Sequence, residues 1–214
     1  LRHATWAGLI SLVMYAVLLL EPVDQFWWLF QSRIADRNPS GDVVFVGSDQ
    51  PLNDPDLPQQ RYEVSAALDE LDRRGVGKVF LDVTFTASHD PLADERLARA
   101  IADLGPRITL VDHVVEGARS ERVLRSTTLT IPNSVTRVIS DQTDRHWFGY
   151  AWELHYSYII DGKQFRSFGA AIAGVENNNN VPFSVDYGFK YQKIPTIPFD
   201  ELIGKTQSAT KMLP

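Results

Sequence analysis

The sequence predicts a mixed α/β sandwich with a partly parallel central sheet, preceded by an N-terminal transmembrane helix. Three observations predict it. A charge-free apolar run fills residues 4–20. From residue 43 to residue 111, short β-branched runs alternate with stretches of helical period. Alternation with short connections implies parallel strands joined by right-handed crossovers. In the second half, strand-like runs flank Asp161-Gly162, a strong local hairpin signal. The expected organisation is a membrane helix over 1–21, one folded domain over 22–204, and a tail or lead-in to another membrane helix over 205–214.

Composition narrows the function classes. With 214 residues the chain can bury a sizeable core without staples. It has no cysteine, which excludes disulfides, thiolate metal sites and thiol catalysis. The net charge is −6 and the Lys and Arg residues are scattered, which argues against nucleic acid as a partner.

The run over 4–20 (ATWAGLISLVMYAVLLL) is at the short end of the roughly 17–25 residues a membrane span needs. It is apolar on every face, interrupted only by Thr5, Ser11 and Tyr15, and this favours lipid over a buried core helix. No small-x-small site follows Leu20, which disfavours a cleavable secretory signal. Pro22 suits a helix boundary. Trp6 near one end, with Trp27 and Trp28 past the other, are the candidate membrane-interface residues. Arg2, Arg33 and Arg37 flank the run too evenly for charge to orient it. The chain starts on Leu rather than Met and shows no second apolar span, so we expect it to be part of a longer protein.

Residues 22–37 read as an amphipathic helix leaving the membrane, with Phe26, Trp27, Leu29, Phe30 and Ile34 apolar. Asn38-Pro39-Ser40-Gly41 marks a turn. VVFVG over 43–47 suits a buried central strand. After a loop over 49–60, residues 61–74 form a helix with the stripe Val64, Ala67, Leu68 and Leu71, stopped by Gly75. KVFLDV over 78–83 is a second buried strand, 92–104 a second amphipathic helix, and RITLV over 107–111 a third strand. These three strands are expected to form a small sheet with helices packed on it. Further strands are expected over 127–131, 154–160, 164–168 and 183–187. A short helix is expected over 167–174, a loop tip at 177–180, and a helical turn over 198–203.

In this order the pieces resemble the CHASE2 domain, an extracytoplasmic sensory module of bacterial membrane receptors. The residues that carry the resemblance are the strand Asp42–Asp49 (DVVFVGSD) and Arg61 leading a helix into Val79-Phe80-Leu81-Asp82. To these are added the acidic segment from Asp90-Pro91 and the C-terminal stretch from Asp186-Tyr187 to Ile194-Pro195-Thr196-Ile197-Pro198-Phe199. The resemblance covers about 24–204. Residues 112–150 match poorly, and Gly188-Phe189-Lys190-Tyr191 replaces the family's usual turn. The resemblance implies an N-terminus in the cytoplasm and a domain on the periplasmic side of a bacterial inner membrane. It also implies transmission to a cytoplasmic output such as a nucleotide cyclase, a cyclic-di-GMP enzyme or a kinase, with an unknown small-molecule or protein signal. A homodimer, or packing on another membrane protein as an accessory or scaffold subunit, is compatible with the same sequence.

Ligands in parallel sheets bind beyond the carboxyl ends of strands. Asp49 and Asp82 fall at such ends, and His89 and Asp90 follow on the second loop. Three carboxylates and an imidazole could take a divalent cation or another ligand. The alternative is that these aspartates cap the next turn or helix. Arg61, placed at a helix start, could bind an anionic signal or pair with Asp49 or Asp82. The aromatic stretch over 147–152, flanked by His146 and His155, is expected in the core or lining a pocket. The sequence has no nucleophile elbow, P-loop, HExxH or dinucleotide fingerprint, so the chain itself is not expected to be an enzyme. It does not name a cofactor.

Overall fold

Two helices, α1 (Arg2–Ala16) and α2 (Glu21–Ile34), open the computed structural model. It describes residues 2–16, 21–34, 37–47, 58–86, 90–116, 122–141, 153–176, 181–184 and 193–204. Apolar side chains on α1 that would be buried in a core, Leu9, Ile10, Leu12 and Val13, are exposed. Among the described residues no helix is long and apolar enough to cross a membrane. The 15 residues of α1 span roughly 22 Å at 1.5 Å per residue, short of a hydrocarbon core of about 30 Å. The expected span over 1–21 is therefore not present as one described helix.

The helix–strand alternation folds largely as its periodicity demands. Strand β1 (Phe45–Gly47) is followed by α3 (Pro58–Arg73), β2 (Val79–Leu81), α4 (Pro91–Leu104) and β3 (Ile108–Glu116). β2 and β3 pair in parallel, with Phe80 opposite Thr109, and α4 is the crossover between them. Helices α3 and α4 lie against each other and cover the sheet. Their stripes supply Val64, Leu68, Leu97, Ala100, Ile101 and Leu104, which bury against Val79, Ile108 and Leu110. This is the apolar stripe of each helix meeting the face of the sheet.

The sheet then departs from a simple parallel array. β4 (Arg122–Arg125) pairs antiparallel with the far half of β3, His113 opposite Arg125. β5 (Thr136–Asp141) runs parallel along the other edge of β3, Thr109 opposite Thr136 and His113 opposite Ser140. β2 and β4 thus share one side of β3, and β5 takes the other. The opposite face of the sheet carries Val111 and Val138, packed on α5 (Phe168–Ile172) through Ala171.

Three expectations are corrected. β1 is not a buried central strand beside β2. It pairs in parallel with β10 (Thr196–Pro198), about 150 residues away, and Val43, Val44 and Phe45 are exposed. A β-branched run specifies a strand but not its partner. The 154–160 run is two strands, β6 (Glu153–His155) and β7 (Ser157–Ile160). They pair with β9 (Pro182–Ser184) and β8 (Lys163–Arg166) respectively. Residues 127–131 form no strand. Thr127 and Leu129 instead bury where this segment crosses the helix-covered core, and Thr128 N–H donates to the Phe85 carbonyl at 2.9 Å. The expected hairpin is present: β7 and β8 flank Asp161 at φ 49° and Gly162 at φ 74°. Two successive left-handed residues are what a two-residue hairpin of this twist requires. Short helix α6 (Phe199–Leu202) follows β10. The expected loop tip over 177–180, the second part of the expected strand over 183–187 and the stretch over 142–152 lie outside the described residues.

Candidate functional site

Asp49 and His89 lie outside the described residues. The other three expected site residues, Arg61, Asp82 and Asp90, are placed, and each has a definite partner. Asp90 is the N-cap of α4: its backbone is extended, and Leu92 N–H donates to its Oδ1 at 2.9 Å. Pro91 occupies the first helical position, where a missing N–H costs nothing. This is the capping role, one turn upstream of Asp94.

Arg61 sits in the first turns of α3 and is 1% exposed. Its guanidinium pairs with Asp94 on α4, so the ion pair ties the two crossover helices together. The guanidinium carbon also lies 5.7 Å from the ring centroid of Phe85, a cation–π position. The carboxylate that holds Arg61 is thus Asp94, from the next helix, while Asp49 lies outside the described residues.

Asp82 follows the carboxyl end of β2, as the strand-end argument requires, and it is half-exposed. Its Oδ1 accepts from His113 Nε2 at 3.1 Å. Strand alternation puts His113 on the same face as Val111, away from α3 and α4. The hydrogen bond to Asp82 raises the pKa of His113 above the ordinary 6.5. Burial opposes that shift, and the charges of Asp82 and Asp112 add to it. The pair is a carboxylate–imidazole unit whose contact favours the protonated imidazole.

On the helix-covered face, Asp112 is almost fully buried and forks onto Arg137 of β5. Arg137 Nε donates to Oδ2 at 3.0 Å and Nη2 to Oδ1 at 2.8 Å. Thr127 joins this pair: its N–H reaches Asp112 Oδ1 at 3.3 Å, and its carbonyl accepts from Arg137 Nη2 at 3.3 Å. Phe85 N–H donates to Thr127 Oγ1 at 3.3 Å. Arg137 also borders an open depression of about 340 Å³ lined by Leu129, Ile131, Pro132 and Val135.

Among the described residues the expected carboxylates do not converge. Arg61 and Asp94 join the helices, Asp82 and His113 lie on the opposite face, and Asp112 holds Arg137. Among the described residues no three His, Asp or Glu side chains come together to hold a metal ion. Sequence reasoning missed His113, Asp112 and Arg137. The available signal was Asp112-His113 itself, a polar pair inside the otherwise apolar strand ITLVDHVVE.

Of the tryptophans expected at membrane interfaces, Trp6 and Trp27 are exposed and Trp28 is half-buried. No protein-family model matches the chain, and no match is found among curated proteins or among solved structures.

Proposed function

We propose that the chain is an extracytoplasmic sensory domain of a bacterial transmembrane receptor, anchored in the inner membrane by its N-terminal apolar segment. The observation that carries this reading is the exposure of Trp6, Leu9, Ile10, Leu12 and Val13 around α1. A helix apolar on every face needs an apolar environment on every face, and lipid supplies one. In the sequence the apolar run continues through Leu20, at the lower limit for a span. The resemblance to CHASE2 domains supports the orientation, with the α/β domain on the periplasmic side.

In this reading the α/β domain detects a small-molecule or protein signal and biases the packing of the membrane helices. Such a device needs two states and a ligand that prefers one of them. α2 is the mechanical link, because it joins α1 to the domain. The response is carried by a cytoplasmic output elsewhere in the receptor, of nucleotide cyclase, cyclic-di-GMP enzyme or kinase type. The test is fractionation of bacterial cells producing the full chain, with protease added to intact spheroplasts. The expected result is a chain that stays in the membrane pellet through an alkaline carbonate wash, with its α/β domain digested from outside. Release into the soluble fraction, or full protection from protease, overturns the anchor or the orientation respectively.

A further inference from the structure

We infer that the depression beside β5 binds a small monocarboxylate with a compact apolar tail, and that Arg137 takes its carboxylate. Among the described residues the depression is lined by Leu129, Ile131, Pro132, Asn133, Val135 and Arg137. Arg137 is the charged member of this set, Asn133 is an exposed amide at a turn, and the others are apolar. One or two polar anchors among apolar walls is the usual makeup of a small-ligand site, and about 340 Å³ is within the range such sites occupy.

The setting of Arg137 differs from that of the other tied arginine. Arg61 is 1% exposed, sealed between α3 and α4 with Asp94. In the Asp112–Arg137 pair the carboxylate is 3% exposed and the guanidinium 37%. The anion is the buried member, and the cation is left at the surface beside the depression. Asp112 takes Nε and Nη2, and the Thr127 carbonyl takes Nη2 again. These bonds hold the guanidinium in one orientation before any ligand arrives, so less freedom is lost on binding. They leave the N–H donors of Nη1 out of the fork. An anion at Nη1 is nearer to the guanidinium than to Asp112, so attraction outweighs repulsion. No carboxylate lines the depression among the described residues, so nothing there recognises a cation. An apolar molecule would cover Arg137 without offering it an acceptor, at a desolvation cost. Leu129 and Val135 belong to the buried core under α3 and α4, which fixes the shape of the apolar wall. Together these features ask for a carboxylate at one end and a short branched hydrocarbon at the other.

The inference needs neither the membrane anchor nor a signalling role, because binding is read on the chain itself. The full chain, isotope-labelled and purified in mild detergent, is titrated with isocaproate. The side-chain N–H signals of Arg137 and Asn133 are followed by NMR. Saturating shifts are expected at both residues. Acetate, which lacks the tail, and isocaproamide, which lacks the charge, should each bind at least about ten-fold more weakly. Arg137→Gln would strand Asp112, so the variant arm changes the rim instead. Asn133→Trp sets an indole over the depression from an exposed turn position. It should weaken isocaproate binding by at least about ten-fold while the circular dichroism melt keeps its midpoint. Absence of a saturable shift at Arg137 and Asn133 overturns the proposal. Equal affinity for acetate removes the apolar wall from it, equal affinity for isocaproamide removes the anion recognition, and either result overturns it. Binding untouched by Asn133→Trp places the ligand elsewhere and overturns it as well. Fractionation, which tests the anchor, is read independently of these titrations.

Discussion

The α3–α4 layer and the α1–α2 pair are built from the same kinds of residue and treat them in opposite ways. In α3 and α4 the apolar side chains occupy a stripe, and that stripe is buried: Leu97 and Ile101 have no exposed surface. In α1 and α2 the apolar side chains are as large or larger, yet Leu12, Phe26 and Ile34 face outward. The first region buries its hydrophobic surface within the chain, and the second leaves it exposed among the described residues. What separates them is what each helix is covered by, not how apolar it is. The most direct way to break this comparison is to make one truncation in each region. Leu97→Ala should lower the unfolding free energy of the domain by about 2–5 kcal/mol, the range for a buried Leu. Phe30→Ala should change it by no more than about 0.5 kcal/mol. Urea unfolding followed by circular dichroism measures both effects. Equal destabilisation by both would mean that α2 is part of the domain core.

The comparison also has an electrostatic side. The α3–α4 layer contains a buried ion pair, Arg61 with Asp94, whereas pairs at its rim such as Arg99 with Glu95 are exposed. Removing one member of a buried pair strands the other, so Asp94→Ala should cost about 3–5 kcal/mol. Arg99→Ala should cost less than about 0.5 kcal/mol. If Arg61 were instead a receptor for an anionic signal, Arg61→Met combined with Asp94→Leu would abolish signalling while leaving a stable fold. If it is a structural tie, the double variant should recover most of the stability lost by either single change.

A smaller effect is expected at the start of α4. Asp90→Ala should cost about 1 kcal/mol through loss of the cap, and Asp90→Ser should restore most of it. A metal-ligand role would give a different pattern, because Ser would not restore binding of a cation. The cap shows what was legible in the sequence. Asp90-Pro91 ahead of the apolar stripe is a local signal, and the helix begins where it says. The same holds for Asp161-Gly162 and for the β2–α4–β3 unit, whose period and length are set within thirty-odd residues. What was not legible is long-range. Nothing near Phe45 says that its partner is Thr196, and nothing near Arg61 distinguishes Asp94 from Asp82. The split of β6 from β7 at Tyr156 is likewise fixed by which strands arrive alongside, Phe183 against Leu154 and Phe165 against Tyr158. Arg61, Asp82 and Asp90 were read as parts of one candidate site, and among the described residues each meets a different group: Asp94, His113 and the Leu92 N–H. Strand ends were located by pattern, but the faces they present depend on a register that the sequence does not display.

The smallest effect, and the one that most sharpens the contrast between the two faces of the sheet, concerns His113. Asp112, its neighbour in sequence, is buried on the α3–α4 face against Arg137. His113 faces the other way and meets Asp82, which is 52% exposed. The folded-state pKa of His113 lies above the unfolded value near 6.5, so the protonated form favours the folded chain. Its contribution is complete below a pH of about 6.5 and is lost as pH rises through the raised folded value. Because the partner carboxylate is half in water, the contribution should stay under about 1 kcal/mol. Asp82→Asn should therefore flatten the pH dependence of stability above about pH 6.5 and return the His113 titration, followed by NMR, toward the ordinary imidazole value. A pH profile left unchanged by Asp82→Asn would show that another group titrates above about pH 6.5, and that the Asp82–His113 contact does not couple this face of the sheet to protons.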